Sequence, residues 1–210
     1  MDAVTRYDRA RTALLLVDPY NDFLASEGKL WPLAKAVAEA VNLLPHLRAI
    51  VDTARQAGIQ VIFVPHHRWE PGDYSRWKHA NHTQIASGQR QTFAKGTWGG
   101  TFHDDFKPQD GDIIVKEHWA QSGFANTDLD HQLKQLGVEK IIIVGMLANT
   151  CIESTGRFGM ELGYHVTLVR DATAAVSREA MHAAHEINGP TFAHAILTTS
   201  ELVGALSQAR

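Results

Sequence analysis

The chain has 210 residues, 44% hydrophobic and 20% charged, with a formal net charge of -3; this is length enough for one sizeable core, and there is no basic excess of the kind a nucleic-acid surface needs. Lys and Arg are scattered, and no apolar stretch approaches the roughly 20 residues that cross a bilayer, so neither nucleic acid nor a membrane is an expected partner. The single cysteine cannot close an intramolecular disulfide, which fits a reducing compartment and a cytoplasmic location.

In chain order the residues read as strand (12–17), helix (33–56), strand (59–64), an irregular segment (65–111), strand (112–115), helix (127–136), strand (140–144), helix (151–162), strand (165–169), helix (177–187) and strand (195–198). The strands are continuously apolar, as in ALLLV and IIIVG, rather than alternating, which is expected when helices cover both faces of a sheet. Gly58, Gly137 and Gly163 stand where helices should stop. The alternation predicts one domain spanning 1–210, α/β in class, with a three-layer, doubly wound, six-stranded parallel sheet. Ligands of such sheets bind beyond the carboxyl ends of the strands, where strand order reverses. Residues 65–111 mix Pro, Gly, His, Trp77 and Trp98 without a long apolar period; a connection of that length inside a compact domain suits a lid or binding segment with room for a short helix.

Three chemically capable residues follow strands directly: Asp18 in LLLVDPYNDF, Lys116 in DIIVKEHW and Cys151 in IIIVGMLANTCIESTGR. Cys151 opens an amphipathic stretch, so the helix dipole and free N–H groups would favour its thiolate, and a neighbouring Lys116 ammonium would push the same way. A lone cysteine is otherwise a small buried hydrophobe, and each strand-end charge alone is a group reaching water.

With these residues in place, the chain resembles the isochorismatase-like cysteine hydrolase superfamily, which includes nicotinamidases, N-carbamoylsarcosine amidohydrolase, biuret hydrolase and isochorismatase. LLLVDPYNDF is similar to the family's strand followed by D-x-Q-N-D-F, with Tyr20 in place of Gln. KPQDGDIIVK is similar to P-x-x-G-D-x-x-I-x-K, and GMLANTCIESTGR to the nucleophile motif G-x-x-T-N-x-C-V-x-x-T-x-R. The resemblance implies a catalytic triad of Asp18, Lys116 and Cys151, with Asp18 as base, Lys116 as the cation that holds the thiolate and orients Asp18, and Cys151 as nucleophile. It implies cleavage of an amide, ureide or carbamoyl C–N bond through a thioester. It also implies an oxyanion hole from the backbone N–H groups of Leu147 and Cys151 beside a cis Met146–Leu147 bond, and a homodimer or homotetramer acting on a small molecule without a cofactor.

Two departures limit the likeness. The segment KEHWAQSGF carries its Ser-Gly-Phe further from Lys116 than the family's S-A-F stands from its lysine. VPHHRWEPGDY lacks the Asp of the nicotinamidase metal motif D-x-H-x-x-x-H, and adjacent residues of an extended segment, here His66 and His67, point apart; no metal is expected. Phe23, His66, Trp69, Trp119 and Phe124 are candidate substrate contacts, with Trp77 and Trp98 as further possible walls, all on segments that follow strands. Arg157 and Arg170 could take a carboxylate, although an internal salt bridge is the simpler fate for Arg157. Two alternatives stand beside the amidohydrolase: an isochorismatase-type vinyl ether hydrolase, which by the resemblance would lack the cysteine, and a non-catalytic α/β binding module, for which no phosphate-cradling G-x-G-x-x-G or G-x-x-x-x-G-K-[ST] follows the first strand.

Overall fold

The computed structural model describes residues 6–208. Six strands, β1 (Thr12–Val17), β2 (Gln60–Val64), β3 (Ile113–Ile114), β4 (Lys140–Met146), β5 (His165–Ala174) and β6 (Ala195–Leu197), form one sheet in the order β3-β2-β1-β4-β5-β6. Every pairing is parallel. The chain builds outward from β1 to β3, then returns to the other side of β1 with β4. The reversal therefore falls between β1 and β4, where Val17 pairs with Gly145, and Asp18 and Cys151 follow those two strands.

Successive residues of β1 feed opposite faces, as strand geometry requires. Leu14 and Leu16 join Leu47, Ile50, Leu202 and Leu206 on one side. Ala13, Leu15 and Val17 join Leu129, Leu133 and Ile152 on the other. Burial on both faces is why these strands read as unbroken apolar runs. β3 is an edge and shrinks to two residues, with Ile114 exposed.

The helices are α1 (Asn21–Leu24), α2 (Trp31–Ala40), α3 (Leu43–Gln56), α4 (His82–Arg90), α5 (Leu129–Gln135), α6 (Glu153–Glu161), α7 (Arg178–His182) and α8 (Thr199–Leu206). The helix expected over 33–56 is two helices, because Asn42 turns into the left-handed region at φ 54, a conformation Asn tolerates better than most residues. The helix expected from 151 starts with a π turn, Ala148–Ile152, ahead of α6. The one expected over 177–187 is α7 followed by a second π turn, Ala183–Asn188. The 65–111 segment contains α4, whose Asn81 and Gln84 form a reciprocal capping box, and two 3-10 turns, Trp98–Gly100 and Asp104–Phe106. Among the described residues no helix is long and apolar enough to cross a membrane.

Candidate active site

Asp18 leaves β1 with its side chain fully buried and its backbone at φ 54. Its N–H donates to the Val64 carbonyl at 3.1 Å, and its carbonyl accepts the Tyr20 N–H at 2.8 Å around Pro19. A non-glycine residue held in this region before a proline is strained, and such strain persists only where surrounding bonds enforce it. The turn drives the carboxylate inward. Oδ1 receives His118 Nε2 at 3.0 Å, and His118 is also fully buried.

Cys151 sits inside the π turn after β4 and is 6% exposed. Donor atoms of Asp18, His118 and Cys151 all lie within 4.8 Å of one another. The Thr150 hydroxyl lies 3.9 Å from Sγ, and Sγ lies 3.8 Å from the Ala120 carbonyl. Burial first, and then the charge and hydrogen bond of Asp18, push the thiol well above its ordinary pKa. The expected stabilisation of a thiolate by a helix terminus is therefore outweighed, and the resting sulfur is a thiol facing a carboxylate. One oxygen, one imidazole nitrogen and one sulfur at this spacing also form a donor set that zinc accepts.

Asp18 and Cys151, without the fully buried His118, open on a cavity of about 360 Å³ whose lining also includes Phe23, His66 and Leu147. Its far wall is α4. His66 Nδ1 lies 2.9 Å from the His67 carbonyl, so Nδ1 carries the proton and Nε2 is left as an acceptor. Burial, chiefly, holds His66 below its ordinary pKa and neutral. The Met146–Leu147 peptide bond is cis. Before it, Gly145 has φ 117, and a Cβ there would sit 2.2 Å from the Val17 carbonyl oxygen, so only glycine lets β4 pass β1 at the switch point.

Several expected residues fall elsewhere. Trp119 stacks on His67 with ring centroids 3.7 Å apart and meets Trp77 at 5.4 Å. Phe124 packs in the core against Phe158 and Tyr164. Trp69 lies outside the cavity, its backbone tied to Thr92 and Lys95, and Trp98 is half exposed. Arg157 pairs with Glu153 and Arg170 with Glu186, each at 2.9 Å.

Lys116 is also outside. It is exposed, its N–H donates to Asp128 Oδ1 at 2.7 Å, and it lines a separate cavity with Arg68 and Glu117. The reason is backbone register. Val115 N–H bonds the Phe63 carbonyl and His118 N–H bonds the Pro65 carbonyl, so three steps on this strand match two on its neighbour. Such a bulge re-aims side chains, and it delivers His118 to Asp18. The signal was in the sequence: His118 stands two residues nearer than Lys116 to Ser122-Gly123-Phe124, the displacement seen in that motif.

The N-D-F part of the first motif is structural. Asp22 Oδ2 accepts the Phe93 N–H at 2.8 Å, and Asn21 Nδ2 donates to the Trp98 carbonyl and Thr101 Oγ1, each at 3.0 Å. These bonds clamp the segment after α4 to α1, just beyond the carboxyl end of the central strand β1. Tyr20, standing for the family's Gln, donates to the His66 carbonyl at 2.8 Å and stacks on Phe93, which fixes His66 in the cavity wall.

Residues 12–200 match the family model described as the isochorismatase domain. The chain is 31% identical to a ureidoacrylate amidohydrolase RutB of Caulobacter segnis, with 96% of this chain and 88% of that protein covered. It is 34% identical to the protein of that name from Yersinia enterocolitica, over 80% of this chain and 76% of the relative. Among solved structures, a cysteine hydrolase from Pseudomonas syringae pv. phaseolicola superposes with a TM-score of 0.76 at 28% identity, covering 100% of this chain and 99% of the other. An N-carbamoylsarcosine amidase from Thermoplasma acidophilum gives 0.66 at 25% identity, over 90% and 96%.

Proposed function

Because the chain belongs to the isochorismatase family of hydrolases, we propose that it is a cysteine amidohydrolase that cleaves a C–N bond of a small ureido, carbamoyl or amide compound through a thioester. The observation that carries this reading is the buried cluster of Cys151, Asp18 and His118, of which Cys151 and Asp18 line one cavity while His118 is bonded to Asp18. The names of the curated relatives, ureidoacrylate amidohydrolases, support the C–N bond as the target.

In the proposed cycle Asp18 takes the thiol proton as Sγ attacks the substrate carbonyl carbon. Because the resting sulfur is held as a thiol, it needs the adjacent base, and Asp18 removes the proton as the S–C bond forms. The tetrahedral oxyanion is received by the N–H groups of Leu147 and Cys151. The Leu147 N–H lies beside Sγ, whose charged form it favours, and a backbone donor at the reacting atoms is what a developing oxyanion needs. Asp18 then passes its proton to the leaving nitrogen, the C–N bond breaks, and the acyl group stays on sulfur. Water attacks the thioester, gives a proton to Asp18, and the acid product leaves as that proton returns to Sγ. Through both halves His118 Nε2–H holds Asp18 Oδ1 and fixes which oxygen faces the sulfur. In this assignment His118 takes the place expected for Lys116.

The test is amine or ammonia release from a panel of ureido acids and amides, with acyl adducts trapped on the protein and read by intact mass. We expect turnover by the wild type, none by Cys151→Ser, and an adduct on the wild type alone. Undiminished turnover by Cys151→Ala would overturn the thiol mechanism and leave an aspartate-driven hydrolase.

A further inference from the structure

Helix α4 covers the cavity in an unusual sense. It buries none of its residues, and its apolar residue Ile85 points outward, 48% exposed. The residues it presents to the cavity are His82, Thr83, Ala86, Ser87 and Arg90. Their spacing is that of one helical face, so the face turned to the protein is the polar one. A helix held by its cap and flanking loop, with small and hydroxylated residues facing inward, leaves space rather than filling it.

Within that face Arg90 is singular. Among the described residues that line the cavity it is the one ammonium or guanidinium, as Asp18 is the one carboxylate. Asp18 is engaged by His118, and His66 is neutral. The Arg90 guanidinium makes no ion pair and no hydrogen bond with the described residues. It lies in the last turn of α4, where a cation complements the helix dipole, but a basic residue on the outer face would serve that purpose equally. Its position on the inner face needs another reason.

We infer that Arg90 is a specificity-determining residue, which binds a carboxylate of the substrate at the helical wall of the cavity while the scissile carbonyl lies at Cys151. The guanidinium fork matches a carboxylate in geometry, and Ser87 and Thr83 supply hydroxyl donors beside it. The favoured substrates are then amido or ureido acids, with the acid at the end remote from the reacting carbon. This rests on the cysteine hydrolase reading of the same site.

The two can be tested separately, because the chain has one cysteine and any alkyl adduct of that thiol reports on Cys151. The probes are N-iodoacetyl-β-alanine and N-iodoacetyl-β-alaninamide, which share an electrophile and differ in terminal charge. Labelling rates at equal concentration are read by intact mass. We expect the acid to label the native protein about tenfold faster or more, the range of a charge-assisted hydrogen bond. Arg90→Gln should bring the acid-to-amide ratio to about one, and Arg90→Lys should keep part of the preference. A ratio near one in the wild type, or the same preference in Arg90→Gln, would overturn the carboxylate role and leave the hydrolase reading intact. Labelling by neither reagent until the protein is denatured would overturn both, since Cys151 would then be unreachable from the cavity.

Discussion

His118 Nε2 meets Asp18 Oδ1 at 3.0 Å with neither side chain exposed, and Lys116, two residues earlier, points to a different cavity. A buried carboxylate with no hydrogen-bond donor would be costly, and a charge-assisted bond of this kind contributes about 1.5–3 kcal/mol. His118→Ala should therefore lower kcat/KM by roughly 10- to 100-fold, with circular dichroism checking that the fold survives. Lys116→Ala should stay within about twofold of wild type, since an exposed charge away from the reacting atoms supplies little. The reverse ranking would give the role of holding Asp18 back to Lys116.

The raised thiol pKa makes a second prediction. Burial is its first cause and the Asp18 charge its second. Alkylation of Cys151 by iodoacetamide should therefore rise with pH along a curve displaced above that of a free thiol, about 8.5. Asp18→Asn removes the negative charge facing sulfur, so its curve should move to lower pH while turnover falls by roughly 100- to 10,000-fold. A variant that labels more readily yet hydrolyses more slowly separates the thiol's acidity from its catalysis. Coincident labelling curves would mean that Asp18 does not face the sulfur in solution.

A pH-dependent contribution to stability is expected from the loop beside the site. His67 donates to Asp73 Oδ2 at 2.7 Å and faces Glu117 Oε2 at 3.3 Å, with Trp119 stacked on its ring. Burial opposes its charge, but the bonds and charges of Glu117 and Asp73 prevail and raise it above its ordinary pKa of 6.5. A raised histidine contributes fully below its unfolded-state pKa, and that contribution is lost as pH climbs through the folded value. His67→Ala should thus lower Tm more at pH 5.5 than at pH 9. Glu117, opposed by burial but pulled down to about 2 by His67 and Arg68, keeps its share until strongly acid pH. An equal Tm loss at both pH values would make His67 a packing residue only.

Much of this was legible in the residues, and the misses share a physical cause. The strands were readable because burial on both faces leaves no polar alternation to confuse them, as in β1 and β4. The break at Asn42 was not, because apolar residues such as Ala38, Leu43 and Leu47 continue the helical period across it, and one left-handed residue costs too little to disturb the pattern. Helix α4 escaped because recognition of helices rests on a buried apolar stripe, and α4 has none; only the Asn81-x-x-Gln84 cap announced it. Asp18 and Cys151 were singled out because they follow strands, and both line the same cavity. Lys116 was singled out because it follows a strand and matches the family's motif, and the one-residue bulge after Val115, invisible in the sequence, turns it to another cavity and sets His118 beside Asp18.

Gly145→Ala tests the switch point directly. At φ 117, with a Cβ placed 2.2 Å from the Val17 carbonyl oxygen, alanine must push β4 away from β1 where Asp18 and Cys151 are brought together. We expect a loss of at least about 2 kcal/mol in unfolding free energy, read by denaturant melts, and a fall in turnover larger than the stability loss explains. Gly111→Ala is the control: it too has positive φ but meets nothing within 4 Å. Its cost should be the backbone term alone. Equal costs at the two positions would mean that the sheet absorbs the clash without moving the site.

The donor set of Asp18, His118 and Cys151 makes zinc an inhibitor to be expected. Their atoms lie within 4.8 Å of one another, a spacing from which small side-chain shifts reach zinc-ligand distances of about 2.0–2.3 Å. Binding would require the thiol proton to leave and the His118–Asp18 bond to open, so inhibition should strengthen with pH. The measurement is turnover, and protection of Cys151 from alkylation, with and without zinc. Both should respond together, EDTA should reverse both, and His118→Ala should weaken both. Inhibition without protection would place the metal elsewhere on a chain that carries 12 histidines. Protection that survives His118→Ala would mean that the imidazole is held too firmly by Asp18 to turn toward a metal.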